Sequence, residues 1–278
     1  MTTVALLHPG SMGAAIGAEA VRAGTRVLWV PLGRSAATRE RAEQAGLEAV
    51  DSLSAAVAAS DVVLSVCPAH AADGVAEQVA GVPFDGMYID ANPTAVPRLE
   101  RIAALMAPRP VIDACIFGPD ADRQRIARIY VAEQANALGL LRTVFHGTRV
   151  DVRPVSGGFG SASALKLAFS AYQRSARALA ALAYALAEEH GVVAEVLAEA
   201  QDMPRADLTD PGFIPTLASR AWRWQHEMRE VAQALRGAGL PSGIAEGAAD
   251  LMSRWDSMKD VAAESLSPDD VLPFLRDR

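Results

Sequence analysis

Lysine is nearly missing from this chain of 278 residues: Lys166 and Lys259 stand alone among 26 basic residues. Cysteine is as scarce, with Cys67 and Cys115 only. Two cysteines make no disulfide framework in a chain of this size, and both sit in apolar, strand-like runs that suit buried, reduced thiols. Cys67 and His70 have a ligand-like spacing, yet no second pair accompanies them, so no metal is expected. Positive charge is also in deficit. A net charge of −7 leaves no basic footprint for nucleic acid and excludes that partner. No stretch approaches the ~18 uninterrupted apolar residues of a membrane span. No basic segment precedes the short apolar run at the N-terminus, and the chain reads as a cytoplasmic protein without membrane attachment.

What the chain does have is apolar surface, 51% of its residues, enough for a substantial core and for two domains. Up to about residue 155 the pattern alternates. The runs TVALL, RVLWV, DVVLSV, GMYID, RPVID and RIYVA are separated by Ala-rich helical stretches, the signature of βαβ units on a parallel sheet. After SGGFG the strand signal stops. Three long Ala/Leu/Glu/Arg segments follow, beginning at SASALKLAFS, GFIPTLASRA and PSGIAEGAAD, and each is punctuated by Gly or Pro. The fold expected is a doubly wound α/β domain over 1–155 followed by an all-α domain over 156–278.

The stretch HPGSMG, His8 to Gly13, lies between the first strand and the first helix. Such a turn aims free backbone N–H groups and the positive end of a helix at one spot, which suits a phosphate. Against the dinucleotide fingerprint G-x-G-x-x-G the chain has His8, Gly10 and Gly13. Gly10 allows close approach of the backbone to a pyrophosphate, and Gly13 allows the helix to pack on the strand. His8 must reach the turn conformation at some cost. An ordinary strand-to-helix turn is the competing reading.

An NAD-preferring site ends its second strand in Asp or Glu for the ribose hydroxyls. RVLWVPLGRSAATRE has no acid there and supplies Arg34, Ser35 and Arg39. A guanidinium and a hydroxyl suit a 2′-phosphate, so NADPH is the expected cofactor, although a loop arginine is also at home in solvent.

Lys166 opens a polar stripe along an otherwise apolar helix, continued by Ser170, Gln173 and Arg177 at spacings of four, three and four. A partly desolvated lysine has a pKa that falls into catalytic range, so a helix-borne Lys at a domain junction can donate a proton; the alternative is a snorkelling lysine.

HPGSMG, the GRS after the second strand, DVVLSVCP, YIDAN, VIDACIFGP and GFGSASALK together resemble the β-hydroxyacid dehydrogenase superfamily, which includes 6-phosphogluconate dehydrogenase, 3-hydroxyisobutyrate dehydrogenase and the imine reductases. RAWRWQHEM, GLPSG and ADLMSRW resemble a phosphogluconate-dehydrogenase-like branch. The resemblance spans nearly the whole chain. It implies a Rossmann domain for NAD(P), a helical domain and a homodimer with a shared helical core. The motif G-x-x-G-x-x-x-x-x-K falls on Gly157, Gly160 and Lys166, making Lys166 the catalytic lysine, with Met12 at the nicotinamide edge. Ser11 joins Gly10, Met12 and Gly13 in the cofactor turn, and Val66, Cys67 and Pro68 form the cofactor loop after the DVVLS strand.

The chain departs from that pattern in four places. His8 replaces the first glycine. Ser170 stands where Asn is frequent. DACIFGP replaces DAPVSGG, setting Phe117 at the serine of the carboxylate clamp, beside Gly118. Asn92 takes the serine position of D-x-S-T, where it can bond substrate or the nicotinamide carboxamide. Imine reductases characteristically replace the lysine, so Lys166 argues for the dehydrogenase side. AWRWQHEM offers Trp222, Trp224, His226 and Glu227 as an aromatic and polar wall; with Phe117, Gly118 and Gln173, Trp222 and His226 are substrate candidates. No basic cluster for a sugar phosphate is evident in the helical half. The function expected is an NADPH-dependent oxidoreductase acting on a small polar carbonyl or hydroxy compound, with Lys166, Asn92 and Ser170 as catalytic residues. An imine reductase and a non-catalytic NADPH sensor are the alternatives.

Overall fold

The computed structural model describes residues 2–119, 124–132, 135–202, 211–237 and 239–276. They form two compact units, Met1–Lys166 and Leu167–Arg278.

In the first unit β1 (Thr3–Leu7), α1 (Ser11–Arg22), β2 (Arg26–Trp29), α2 (Ala36–Gln44), β3 (Glu48–Ala49), α3 (Leu53–Ala58), β4 (Val62–Ser65), α4 (Ala72–Ala80), β5 (Met87–Asp90), α5 (Val96–Met106), β6 (Val111–Phe117), β7 (Ala127–Ala132), α6 (Ala135–Val144) and β8 (Val150–Val155) follow in order. The strands make one eight-stranded sheet, β3-β2-β1-β4-β5-β6-β7-β8. Its register runs through pairs such as Val4 with Val62 and Leu64 with Ile89. Period-two alternation gives both faces a core. Val4, Leu6, Val62 and Leu64 pack with Ile16 and Ala20 of α1 and Leu141 of α6. Ala5, Leu7 and Val63 pack on the other face with Val75 and Val79 of α4 and Leu99 and Ile102 of α5.

The expectation of a parallel sheet read from six apolar runs is corrected: eight strands form, and β8 and the short β3 lie outside those runs. β7 runs antiparallel to β6. Residues 118–126 that join them are fewer than the dozen or so a parallel crossover needs. β8 also escapes the sequence pattern, because Asp151, Arg153 and Pro154 interrupt its apolar character. It is an edge strand, where proline and charge are tolerated.

The second unit contains no strand among the described residues. It takes most of α7 (Ser161–His190), then α8 (Val193–Gln201), α9 (Phe213–Gly237), α10 (Gly243–Ser253) and the short α11 (Pro268–Val271). Ile214, Leu217, Ala221, Met228 and Met252 are fully buried, and Trp255 donates its indole N–H to the Val271 carbonyl at 2.7 Å. The units divide inside α7 rather than ahead of it at residue 155. The reason is local: the first turn of α7 is hydrogen-bonded to β6, as described below. Among the described residues no helix is long and apolar enough to cross a membrane.

Candidate functional site

β1 and β4 are adjacent while their helices lie on opposite faces, so the strand order reverses between them and opens a crevice at their C-terminal ends. His8 occupies the turn at the end of β1 with φ of 70°. That left-handed conformation costs a non-glycine residue on the order of 1 kcal/mol. Gly10 donates its N–H to the His8 carbonyl at 2.7 Å. At Gly13 a Cβ atom would lie 2.7 Å from that carbonyl oxygen and 3.9 Å from Val66, so only glycine lets α1 pack this close. At Gly10 a Cβ would point into open space, which is where a ligand can approach the main chain. Gly10 is the N-cap of α1 and supplies no side-chain cap, and no acid lies in the first turn. The N–H groups around Ser11 and Met12 therefore keep their positive field. His8 Nδ1 is buried without a hydrogen-bond partner. Burial first, and then the Arg34 charge, hold the His8 pKa down at about 4, so this imidazole is neutral at pH 7.

Arg34 follows Gly33, whose φ of 73° turns the chain after β2. Its Nε is buried with no acceptor, and burial lowers its pKa. The charge acts on His8, just after β1, and on Cys67, just after β4. Ser35 is the N-cap of α2: its Oγ accepts from the Thr38 N–H at 3.3 Å. Arg39 is exposed on the same helix.

Val66 lies against Gly13, and half-buried Pro68 starts the turn after Cys67. Cys67 is buried, and desolvation ahead of the Asp90 charge pushes its thiol pKa up to about 12, so it is no nucleophile. Asn92 is 1% exposed. Its Oδ1 accepts from the Cys67 N–H at 2.6 Å and its Nδ2 donates to Ser65 Oγ at 3.0 Å, so the amide ties β4 to the chain after β5. This arrangement makes Asn92 a brace for the loop after β4. Beneath it Asp90 is wholly buried, with Oδ1 accepting from the Asn92 N–H and Oδ2 unpartnered. Burial pushes its pKa up to about 7.

Lys166 sits in the second turn of α7, and its Nζ lies 4.7 Å from the centre of the Phe117 ring. Phe117 ends β6; Arg128, its antiparallel partner on β7, has its guanidinium carbon 5.9 Å from the same ring. Arg128 also donates to the Gly118 carbonyl at 3.1 Å, and its Nε is buried without a partner. A Cβ on Gly118 would touch Met12 Cε at 3.6 Å. Met12, Phe117, Gly118 and Lys166, widely separated in sequence, thus meet at the ends of β1 and β6. Sequence reasoning missed what holds Lys166 there. The Asp113 carboxylate on β6 accepts from the Ala162 N–H at 2.8 Å, the Ser163 N–H at 3.1 Å and Ser163 Oγ at 2.6 Å, capping α7 from the sheet. The signal was visible as an acid inside the apolar run VIDACIF, a position that burial permits only when the carboxylate is hydrogen-bonded.

In the helical unit Ser170 is fully buried and its Oγ donates to Glu227 Oε1. Gln173 Oε1 accepts from Arg174 at 2.6 Å. Trp222 is half-buried, with Lys259 Nζ 4.8 Å from its ring, and His226 is half-buried. The neighbouring Trp224, 3% exposed, is the buried aromatic, and Arg174 and Arg220 stack on it at 4.6 and 5.9 Å. The expectation that the helical half lacks a basic cluster is therefore corrected. Arg174, Arg177, Arg220 and Arg223 come from two helices and are far apart in sequence, but α7 and α9 bring them together.

A sheet with a switch-point crevice and a glycine turn, followed by a helical unit, defines a Rossmann-type fold. Solved structures agree in fold. A Mycobacterium tuberculosis 3-hydroxyisobutyrate dehydrogenase, solved with L-serine, is 21% identical over all of both chains with a TM-score of 0.72. A Salmonella typhimurium 3-hydroxyisobutyrate dehydrogenase is 17% identical, covers 91% of this chain and 93% of its own, and has a TM-score of 0.70. A Bacillus cereus imine reductase is 16% identical over the same shares, with a TM-score of 0.55. Residues 187–255 match a family described as a domain of unknown function, DUF1932. No curated protein sequence matches the chain.

Proposed function

We propose that this protein is an NADPH-dependent oxidoreductase that transfers a hydride to or from a small polar carbonyl or hydroxy compound, with Lys166 as general acid and base. The observation that carries the reading is the meeting of Lys166 and Phe117 with Gly118 and Met12, at the strand ends where α1 presents its uncapped N-terminus. The residues present fit a dinucleotide. The open side of Gly10 and the N–H groups of Ser11 and Met12 suit a pyrophosphate, and the buried, acceptor-less Arg34 Nε beside Ser35 suits a 2′-phosphate. The nicotinamide, when bound, supplies or accepts the hydride. Lys166 Nζ gives its proton to the carbonyl oxygen in reduction and takes the hydroxyl proton in oxidation. Asp113 acts through α7 as a positioning residue. Val66 and Pro68, braced by Asn92, border the turn and limit water.

Aldehydes, ketones, hydroxyacids and cyclic imines are to be screened with NADPH by absorbance. Lys166→Ala should lower turnover by about a hundredfold or more while leaving NADPH affinity nearly unchanged. Lys166→Arg should rescue poorly, because guanidinium does not release its proton. Full turnover by Lys166→Arg overturns the proton-transfer role. Phe117 at the clamp position supports imine reduction as a second reading, which turnover of cyclic imines alone would establish. NADPH binding without turnover of any compound would identify a sensor. The exposed Phe169, Tyr172 and Leu179 on α7 support a homodimer, and a monomer by light scattering at micromolar concentration overturns it.

A further inference from the structure

Arg174 and Arg223 of the helical unit share the Glu227 carboxylate, and Arg220 and Arg177 lie close enough to act on them. Arg220, Arg223, Trp224 and Glu227 recur at three- and four-residue steps along one face of α9, and Ser170, Arg174 and Arg177 do so on α7. Arg174 is 8% exposed and pairs with Glu227, Nε to Oε2 at 3.2 Å. The same carboxylate accepts from Ser170. Arg174 and Arg220 both stack on Trp224. Glu227 offsets one of these charges. Arg223, half-buried, feels Glu227 but forms no ion pair among the described residues, and burial together with Arg220 and Arg174 lowers its pKa. The Trp224 indole N–H is buried and has no acceptor. Partly desolvated cations and an unused indole donor are both costly to leave unpaired, and both ask for the same thing, an anion with several acceptor oxygens.

We infer that the cluster of Arg174, Arg220, Arg223 and Trp224 is an oxyanion site of the helical unit that takes a phosphate dianion, inorganic or as the monoester of a small metabolite. Arg174 already spends its Nε on Glu227 and another N–H on Gln173, so Arg220, Arg223 and the Trp224 N–H are the groups with donors to give. Their number exceeds what the two oxygens of a carboxylate accept, and a dianion matches the surplus charge better than a monoanion. Glu227 holds Arg174 over the indole and keeps that wall of the site in place.

The site does not depend on the redox reading, and the test leaves nicotinamide nucleotides out. Inorganic phosphate, glycerol 3-phosphate and acetate are titrated calorimetrically into the full chain at low ionic strength. Phosphate and glycerol 3-phosphate should bind at least tenfold more tightly than acetate. Tighter binding of glycerol 3-phosphate makes the monoester the ligand, and equal binding makes it the inorganic ion. Arg220→Gln, a change at an exposed side chain that leaves the fold intact, should weaken phosphate binding about tenfold. Arg223→Gln should do the same, and Trp224→Phe, which keeps the ring and removes the N–H, should weaken it severalfold. Arg101→Gln, an exposed arginine elsewhere, serves as the control. Phosphate affinity unchanged by Arg220→Gln, or acetate binding as tightly as phosphate, overturns the inference.

Discussion

Asp90 and His8 oppose each other in the acid stability of the first unit. The buried Asp90 carboxyl has its pKa pushed from 3.8 to about 7, so the folded chain holds this proton more firmly than the unfolded one. Its contribution to stability is full below the unfolded value and is lost as the pH rises toward 7. The Arg98 guanidinium nearby draws the value down and Asp113 pushes it up, but desolvation dominates. His8 has the reverse sign. Its pKa falls from 6.5 to about 4, so its contribution is full above the unfolded value and is lost as the pH falls toward 4. Between pH 5 and 8 the Asp90 effect spans two pH units below its folded pKa, or about 3 kcal/mol at 1.36 kcal/mol per unit. The His8 effect spans one and a half units below its unfolded pKa, or about 2 kcal/mol. The parent should therefore show a shallow profile that hides two steep ones. Asp90→Asn keeps the acceptor for the Asn92 N–H and removes the buried charge. It should gain about 3 kcal/mol relative to the parent between pH 5 and 8. His8→Asn tolerates the left-handed turn and should lose about 2 kcal/mol relative to the parent over the same range. Urea denaturation at fixed pH steps measures both, and groups common to parent and variant, such as Glu19, cancel in the difference. An Asp90→Asn profile parallel to the parent's refutes the reasoning, as does a gain on the acid side.

The two glycines of the first turn should separate fold from ligand. Gly13→Ala sets a methyl 2.7 Å from the His8 carbonyl and should cost about 2 kcal/mol in thermal unfolding, whereas Gly10→Ala meets nothing and should leave stability intact while weakening NADPH binding at least tenfold. Arg34→Ala should remove an NADPH preference over NADH of roughly 2 to 3 kcal/mol in paired binding titrations; equal affinities in the parent sink the 2′-phosphate assignment. Asp113→Asn exchanges a charged acceptor for a mixed amide against the N–H groups of Ala162 and Ser163, and should cost about 2 kcal/mol in urea denaturation and slow turnover without altering NADPH affinity. A neutral Asp113→Asn shows that α7 is capped by other groups.

Periodicity alone determined most of the architecture here. Val4, Leu6, Ala5 and Leu7 alternate between two cores because a strand places neighbours on opposite faces, and that rule reads directly from TVALL. The turn at HPGSMG was legible for the same kind of reason: the demands on backbone at Gly10 and Gly13 are local, and the strained His8 is visible as the one fingerprint position without glycine. Lys166 stood out by rarity in an arginine-rich chain. β8 was not legible, since an edge strand needs apolar residues on one side only and this one carries Asp151, Arg153 and Pro154. Groups whose role depends on partners from other elements were hidden as well. Asp113 caps a helix about 50 residues later, Asn92 braces Cys67, and Ser170 donates to Glu227. Singly, the arginines of α7 and α9 do not mark the cluster in the sequence. Only packing the two helices around Trp224 concentrates them, because charge density depends on distance through space and sequence records distance along the chain.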